Sequence, residues 1–473
     1  MSAIRYISTR QGSGPSVERL TFEEVVLAGL ARDGGLYVPE TWPTLSKAEI
    51  GALRGLSYPE LATRLMVPFV GDAFDAATLG RLVGEAYAGF DDPGVVRLKP
   101  LPVGDLYLLE LFHGPTLAFK DVALQFLGRT LDALLTRAGR RARIIGATSG
   151  DTGSAAIEAV RDRKAIDIFM LHPEGRVSEV QRRQMTTVLA PNVHNIAIEG
   201  TFDDCQDLAK ACFNDLPFRD RHRLTAVNSI NFARVMAQIV YYFHAALSLG
   251  APDRPVSFCV PTGNFGNIYA GYAARAMGLP VERLLIASNS NDILARFIES
   301  GEQRLAGVTP TWSPSMDIQV SSNFERFLFD LFDRDGKALA RAMHAFRATG
   351  AMSVSAAQLA RARATFDAGR LDDAGTLSAI ADARRETGEL LDPHTAVAYA
   401  VARQRRGARD VPMVVLATAH PAKFPDAVRT ATGEAPPLPA RLADLATKAE
   451  RCTTLPNDIA ALKRLMDEVA VFA

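Results

Sequence analysis

Between residues 106 and 416, short apolar runs alternate with longer stretches of helical spacing. This alternation constrains the fold more than any other feature of the chain. The runs cover 106–109, 144–147, 165–171, 193–198, 224–227, 256–260, 284–287 and 411–416. They have the length and apolar character of strands buried in a sheet rather than of helices. Residues 121–137 show the helical spacing found between most of them, followed by Gly139, a residue that commonly stops a helix. Strands separated by helices predict an α/β fold, mostly parallel, with helices on both faces of the sheet.

Two regions depart from this pattern. Residues 14–90 read as helical segments broken by turns, with 17–30 and 58–67 as candidate helices. Between these, Asp33, Gly34 and Gly35 form a turn before a short extended piece ending at Pro39. Residues 325–390 are rich in Ala, Arg and Asp at helical spacing and carry few strand signals, so a helical insertion is expected there. Residues 457–469 read as a capped helix docked on the body. The polar turn at 90–94 is the first expected boundary. It gives a mainly helical N-terminal domain over 1–93, a first α/β region over 94–245 and a second over 246–473.

Lys plus Arg and Asp plus Glu both number 53, so the 473-residue chain is formally neutral. With no long basic run, nothing favours nucleic acid or an anionic membrane, and a small molecule is the expected partner. No obligate protein partner is implied. Cys205, Cys212, Cys259 and Cys452 form no CxxC pair. Their scatter argues against a disulfide framework or a zinc site and fits a reducing compartment. No run of ~18 uncharged apolar residues is present, so no membrane span is expected. The expectation is a soluble, cytoplasmic chain.

Five polar constellations carry the chemistry. In the first, a loop with Gly114 and Pro115 leads into an apolar helix, with Lys120 at the junction. A cation in a first turn stands at the unfavourable end of the helix dipole, which depresses an amine's pKa as imine chemistry requires. Asp121 is expected to cap that helix. The second joins a strand to a helix through Thr148, Ser149, Gly150, Asp151, Thr152 and Gly153. Small residues there expose amides and hydroxyls to a carboxylate or phosphate. The third is Gly263, Asn264, Phe265, Gly266 and Asn267, after the 256–260 strand. Its glycines and asparagines tolerate positive φ, and it is neither a Walker A loop nor a GxGxxG fingerprint. The fourth is Asn228, Ser229, Asn231 and Arg234, with Asn231 as an N-cap and Arg234 in the first turn. The fifth is Thr418 and His420, beyond the carboxyl end of the last strand, where open parallel sheets bind ligands. Each has a plainer structural reading, from a surface lysine to a capped turn. Together, two anion sites and a helix-start lysine suit a phosphorylated cofactor and an anionic substrate.

On these motifs the chain resembles the fold-type II pyridoxal-phosphate enzymes and, within them, the longer form of the threonine synthases. The resemblance covers nearly the whole chain, most loosely at 325–390. It implies the tryptophan-synthase-β-like fold, with two open, mostly parallel sheets flanked by helices, plus an N-terminal helical domain. It implies that Lys120 carries pyridoxal 5'-phosphate as an imine and then serves as general base and acid. Gly263, Asn264, Phe265, Gly266 and Asn267 would hold the cofactor phosphate. Thr418 would meet the pyridine nitrogen, and Asp151 would face the phenolic oxygen. Thr148, Ser149 and Thr152 would bind substrate, while Asn228, Ser229, Asn231 and Arg234 would complete its phosphate side. No metal is implied. The implied reaction turns O-phospho-L-homoserine and water into L-threonine and phosphate. A related lyase or dehydratase, or a cofactor-free metabolite-binding protein, stands as the alternative.

Overall fold

The computed structural model describes residues 4–12, 14, 17–225, 230–407 and 410–469. The chain forms two compact units, one of Met1–His113 with Ser229–Pro436, the other of Gly114–Asn228 with Pro437–Ala473. These units interleave along the chain, unlike the consecutive domains expected with boundaries near 93 and 245. The turn at 90–94 lies inside the first unit, where the N-terminal helices sit with 229–436. The physical reason is strand pairing. Met413–Ala417 lies parallel to Leu106–Glu110, so chain segments three hundred residues apart are built into one sheet.

The first unit is built on a six-stranded sheet. Its order is Phe366–Arg370, Val281–Ser288, Val256–Pro261, Met413–Ala417, Leu106–Glu110 and Arg97–Pro100. All neighbours are parallel except the final pair. Parallel strands place their carboxyl ends on one edge, and the loops at 262–267 and 418–420 both leave from it. Beneath this edge, Cys259, Leu285, Val397, Val401 and Val415 belong to one buried cluster. Burial on both faces explains the uninterrupted apolar runs. In the N-terminal stretch, Tyr6–Ser8 pairs antiparallel with Tyr37–Pro39. Capping boxes at Thr21, Ser46 and Ser57 start the helices Phe22–Ala28, Lys47–Gly51 and Tyr58–Val70.

The second unit holds a five-stranded, wholly parallel sheet. Its order is Thr453–Pro456, Val193–Glu199, Ile166–Pro173, Ala142–Ala147 and Leu224–Thr225. The expected continuation of the last strand through 226 and 227 lies outside the described residues. The C-terminal helix Ile459–Glu468, capped by Asp458, buries Leu462 and Met466 against Phe169, Ile196 and Cys212.

Residues 325–390 are not purely helical. Four helices occupy Phe324–Leu331, Gly336–Thr349, Ala356–Arg363 and Asp373–Thr387. Between them Ala351–Ser353 pairs with Glu302–Arg304, and Phe366–Arg370 forms an edge of the six-stranded sheet. An edge strand carries charge, here Asp367 and Arg370, and so lacks the apolar run that marks an interior strand. Among the described residues no helix is long and apolar enough to cross a membrane.

Candidate active site

Lys120 opens the helix Lys120–Arg137 and is only 7% exposed. Phe119 stands at the N-cap and offers no side-chain bond. Asp121 is not the cap. Its carboxylate turns back to accept from the backbone N and the hydroxyl of Thr116, at 2.7 and 2.8 Å. The aspartate therefore folds the preceding loop onto the helix start, which fixes where Lys120 begins. Lys120 Nζ donates to Asp151 Oδ2 at 3.2 Å. The other oxygen of Asp151 accepts from Gln181 Nε2 at 2.8 Å, and Gln181 accepts from the Ser178 hydroxyl at 2.9 Å. Asp151 is thus the partner of the lysine amine, held in place from behind by Gln181.

Asp151 begins the helix Asp151–Val160, three residues earlier than its sequence suggests. Gly150 precedes it at φ 138°, and a Cβ there would lie 2.5 Å from Gln181 Oε1. Only glycine fits both the backbone angle and the approach of that side chain. Thr148 is buried, and its Oγ1 accepts from the amides of Gly150 and Gly153 at 3.0 and 2.8 Å. Two amides expected to face a ligand are therefore satisfied within the loop. Ser149 is exposed and Thr152 half-buried, so their hydroxyls remain accessible.

In the first unit, Phe265 takes a left-handed conformation at φ 62° and precedes the helix Gly266–Ala276. The first helical bond of that turn runs from Tyr269 N to Phe265 O. The amides of Gly266, Asn267 and Ile268 therefore have no acceptor among the described residues. The loop's carbonyls are drawn away: Gly263 O accepts from the Ser321 hydroxyl, and Asn264 O accepts from Asn323 N at 3.1 Å. Amides forward and carbonyls back make an anion cradle. Asn267 is buried, and its Oδ1 accepts from the hydroxyls of Tyr241 and Tyr242, while its Nδ2 has no partner among the described residues. Gly263 is needed for close approach, because a Cβ there would sit 2.7 Å from Ser315 O.

Thr418 is buried just past the strand Met413–Ala417. Its backbone N donates to Thr395 Oγ1 at 3.2 Å. His420 accepts from Ala422 N at 3.1 Å, and burial pulls its pKa down to about 4. It is a neutral cap for the turn Pro421–Lys423.

Asn231 caps the helix Phe232–Ser248, as its sequence suggests. Its side chain is committed at both ends, accepting from Ala233 N at 3.1 Å and donating to Val26 O at 3.0 Å. That makes it a positioning group rather than a free ligand for substrate. Arg234 follows in the first turn and is 4% exposed. Its Nε and Nη1 have no partner among the described residues, and burial pulls its pKa down to about 10. Asn228 and Ser229 lie outside the described residues.

The structure therefore brings together Lys120 with Asp151, Thr148 with its own loop, and Asn231 with Arg234 on one helix start. Sequence reasoning did not find Gln181, Ser321, Asn323, Asp392, His394 or Thr395. The spacing of Ser178 and Gln181 gives a helix-start signal, as does Asp392 before Pro393, but neither pattern points to a site.

A buried lysine paired with a carboxylate, and an amide cradle that fits a phosphate, define a pyridoxal-phosphate-dependent enzyme. Residues 95–353 match the family described as pyridoxal-phosphate dependent enzymes. Residues 5–87 match the threonine synthase N terminus and 395–466 the threonine synthase C-terminal family. The chain belongs to the threonine synthase family. It is 56% identical over 466 residues to the threonine synthase of Pseudomonas aeruginosa, covering 98% of each chain. It is 44% identical to that of Schizosaccharomyces pombe, covering 91% of this chain and 90% of the relative. A solved structure of a PLP-bound threonine synthase from Brucella melitensis superposes with a TM-score of 0.96 at 52% identity, covering 98% and 99%.

Proposed function

We propose that the chain converts O-phospho-L-homoserine and water into L-threonine and phosphate, with the residues above in the following roles. The observation that carries the substrate is Arg234. A buried guanidinium with unbonded nitrogens is costly to hold dry, and an anion placed on it removes that cost. The planar fork of a guanidinium pairs two phosphate oxygens at once. A plain hydroxy-amino acid has no group to place there, which favours a phosphorylated substrate over the dehydratase reading.

Lys120 Nζ is the cofactor's point of attachment. The 266–268 amides and Asn267 Nδ2 hold its phosphate, with Gly263, Asn264 and Phe265 shaping the turn. Thr418 Oγ1 would be the neutral partner of the pyridine nitrogen. When bound, pyridoxal phosphate supplies an electron sink for the pair left on the substrate's α-carbon. Lys120 Nζ, when free as an amine, would take the α-proton and then a β-proton. Phosphate leaves the γ-carbon and is received by Arg234, with Asn228 and Ser229 beside it in sequence. The γ-carbon takes up a proton and becomes the methyl group. Water then adds at the β-carbon, and Lys120 returns a proton to the α-carbon. Asp151 keeps the amine near its working position. Ser149 and Thr152 take the substrate carboxylate on the loop that Thr148 braces. Four free cysteines, three of them buried, suit a cytoplasmic setting.

The test is to incubate the cofactor-loaded protein with O-phospho-L-homoserine and follow phosphate and amino acids together. Equal release of phosphate and threonine is expected. Phosphate accompanied by a keto acid would assign a phospho-lyase instead, and absence of phosphate release would reject the substrate.

A further inference from the structure

The supports behind the 263–267 loop and behind Thr418 meet in one carboxylate. Asp392 is 1% exposed and caps the helix Pro393–Gln404. Its Oδ1 accepts from the backbone N of His394 at 2.9 Å and from His394 Nδ1 at 2.8 Å. His394 Nε2 accepts from Ser315 N at 3.2 Å. A ring nitrogen that accepts carries no proton, so the neutral ring's proton is on Nδ1 and points at Asp392. Ser315 is the residue whose carbonyl lies 2.7 Å from the Cβ position of Gly263, with Met316 Cα at 3.1 Å. Asp392 Oδ2 accepts from Thr395 N at 3.3 Å and from the Thr395 hydroxyl. Thr395 Oγ1 in turn accepts from Thr418 N at 3.2 Å.

We propose that Asp392 is a positioning residue that sets both ends of the cofactor cradle, the phosphate loop through His394 and Ser315, and Thr418 through Thr395. The proposal rests on the assignment of that loop and Thr418 as cofactor contacts. The cofactor's pyridine nitrogen and phosphate are linked through one rigid ring, so the groups that receive them must keep a set separation. A single buried anchor does this. Helix capping alone does not account for the arrangement. Asn caps as well as Asp, using one oxygen for backbone amides. Here both oxygens also receive a side-chain donor, which only a carboxylate allows. With Asn, one of those donors meets an NH2 group. If that donor is Thr395, its hydroxyl turns to accept and no longer orders Thr418 N.

Asp392→Asn therefore keeps one of the two backbone capping bonds and breaks the relay. The probe is pyridoxal phosphate titrated into the cofactor-free protein, read by cofactor absorbance and fluorescence. Expected are about tenfold weaker binding, the loss of one or two hydrogen bonds, and a shifted absorption band, with a lower melting temperature of the cofactor-free form, because one of the two capped amides loses its acceptor. Thr395→Val should shift the band with little change in affinity, and His394→Phe should weaken affinity with the band in place. Asp392→Asn with wild-type affinity and band would overturn the proposal. If that variant does not fold, an unchanged band in Thr395→Val overturns it. Thr418→Val and Gly263→Ala separate the two levels. A response in these with none in Asp392→Asn rejects the relay, and no response in any of them rejects the cofactor contacts on which it rests.

Discussion

Arg234 is a liability in the unliganded protein. Its Nε and Nη1 are buried and without a partner among the described residues. Replacing such a charge with an apolar side chain of similar length is often neutral or stabilising. Arg234→Met is therefore expected to leave the melting temperature of the unliganded protein unchanged or to raise it. Turnover should move the other way. Loss of a charge-assisted contact to the substrate phosphate costs ~2–3 kcal/mol, or roughly 100-fold in kcat/KM. A variant less stable and fully active would contradict both halves. Lys120 and Arg234 were legible in the sequence because each is a cation at a helix start, a local conflict visible without the fold. Gln181 and Asp392 were not, since their importance lies in which distant side chains reach them.

The 148–153 loop shows what an element needs beyond its own residue preferences. Small residues let the chain turn sharply, but the turn is held by Thr148 Oγ1, which satisfies two amides that would otherwise be buried and unpaired. Thr148→Val keeps the shape and removes the acceptor. Each orphaned amide costs ~1–3 kcal/mol, so the urea midpoint should fall clearly, and a midpoint within error of wild type would show that water replaces the hydroxyl. At this scale the interior strands were readable and the edges were not. The strand segments at 256–261, 284–287 and 413–417 are apolar throughout or nearly so, because both faces are covered. Arg97–Pro100, Phe366–Arg370 and Thr453–Pro456 each lie at a sheet edge and carry polar or charged residues that resemble loop composition. The helical insertion expected from its spacing and few strand signals therefore also holds an edge strand, Phe366–Arg370.

For the molecule as a whole, histidine burial sets a pH dependence. His194 stacks on Phe169 with centroids 4.4 Å apart, and burial, aided by Arg451 and Arg143, pulls its pKa down to about 4. His420 lies at about 4 through burial. An unfolded histidine titrates near 6.5. Between these values the unfolded chain binds protons that the folded protein refuses, so stability falls as the pH drops from about 6.5 to about 4. Denaturation midpoints across that window should decline with acidity. His194→Phe should decline less steeply, by the slope that one proton contributes, and an unchanged slope would place the origin elsewhere. At this scale the sequence was informative about class and silent about partition. The alternation of strands and helices identified an α/β chain with parallel sheets. The interleaving of the two units depends on which strand pairs with which, and no local pattern encodes that choice.

The position of Met413–Ala417 between Val256–Pro261 and Leu106–Glu110 has a consequence for synthesis on the ribosome. This interior strand is the last of its six to be made. Until it emerges, its two neighbours present bare hydrogen-bonding edges, the kind that attract other chains. The second sheet waits longer still, since Thr453–Pro456 covers Val193–Glu199 from almost the end of the chain. Neither sheet can be completed before its late strand has been made, so a nascent chain released before Met413–Ala417 carries two unfinished sheets.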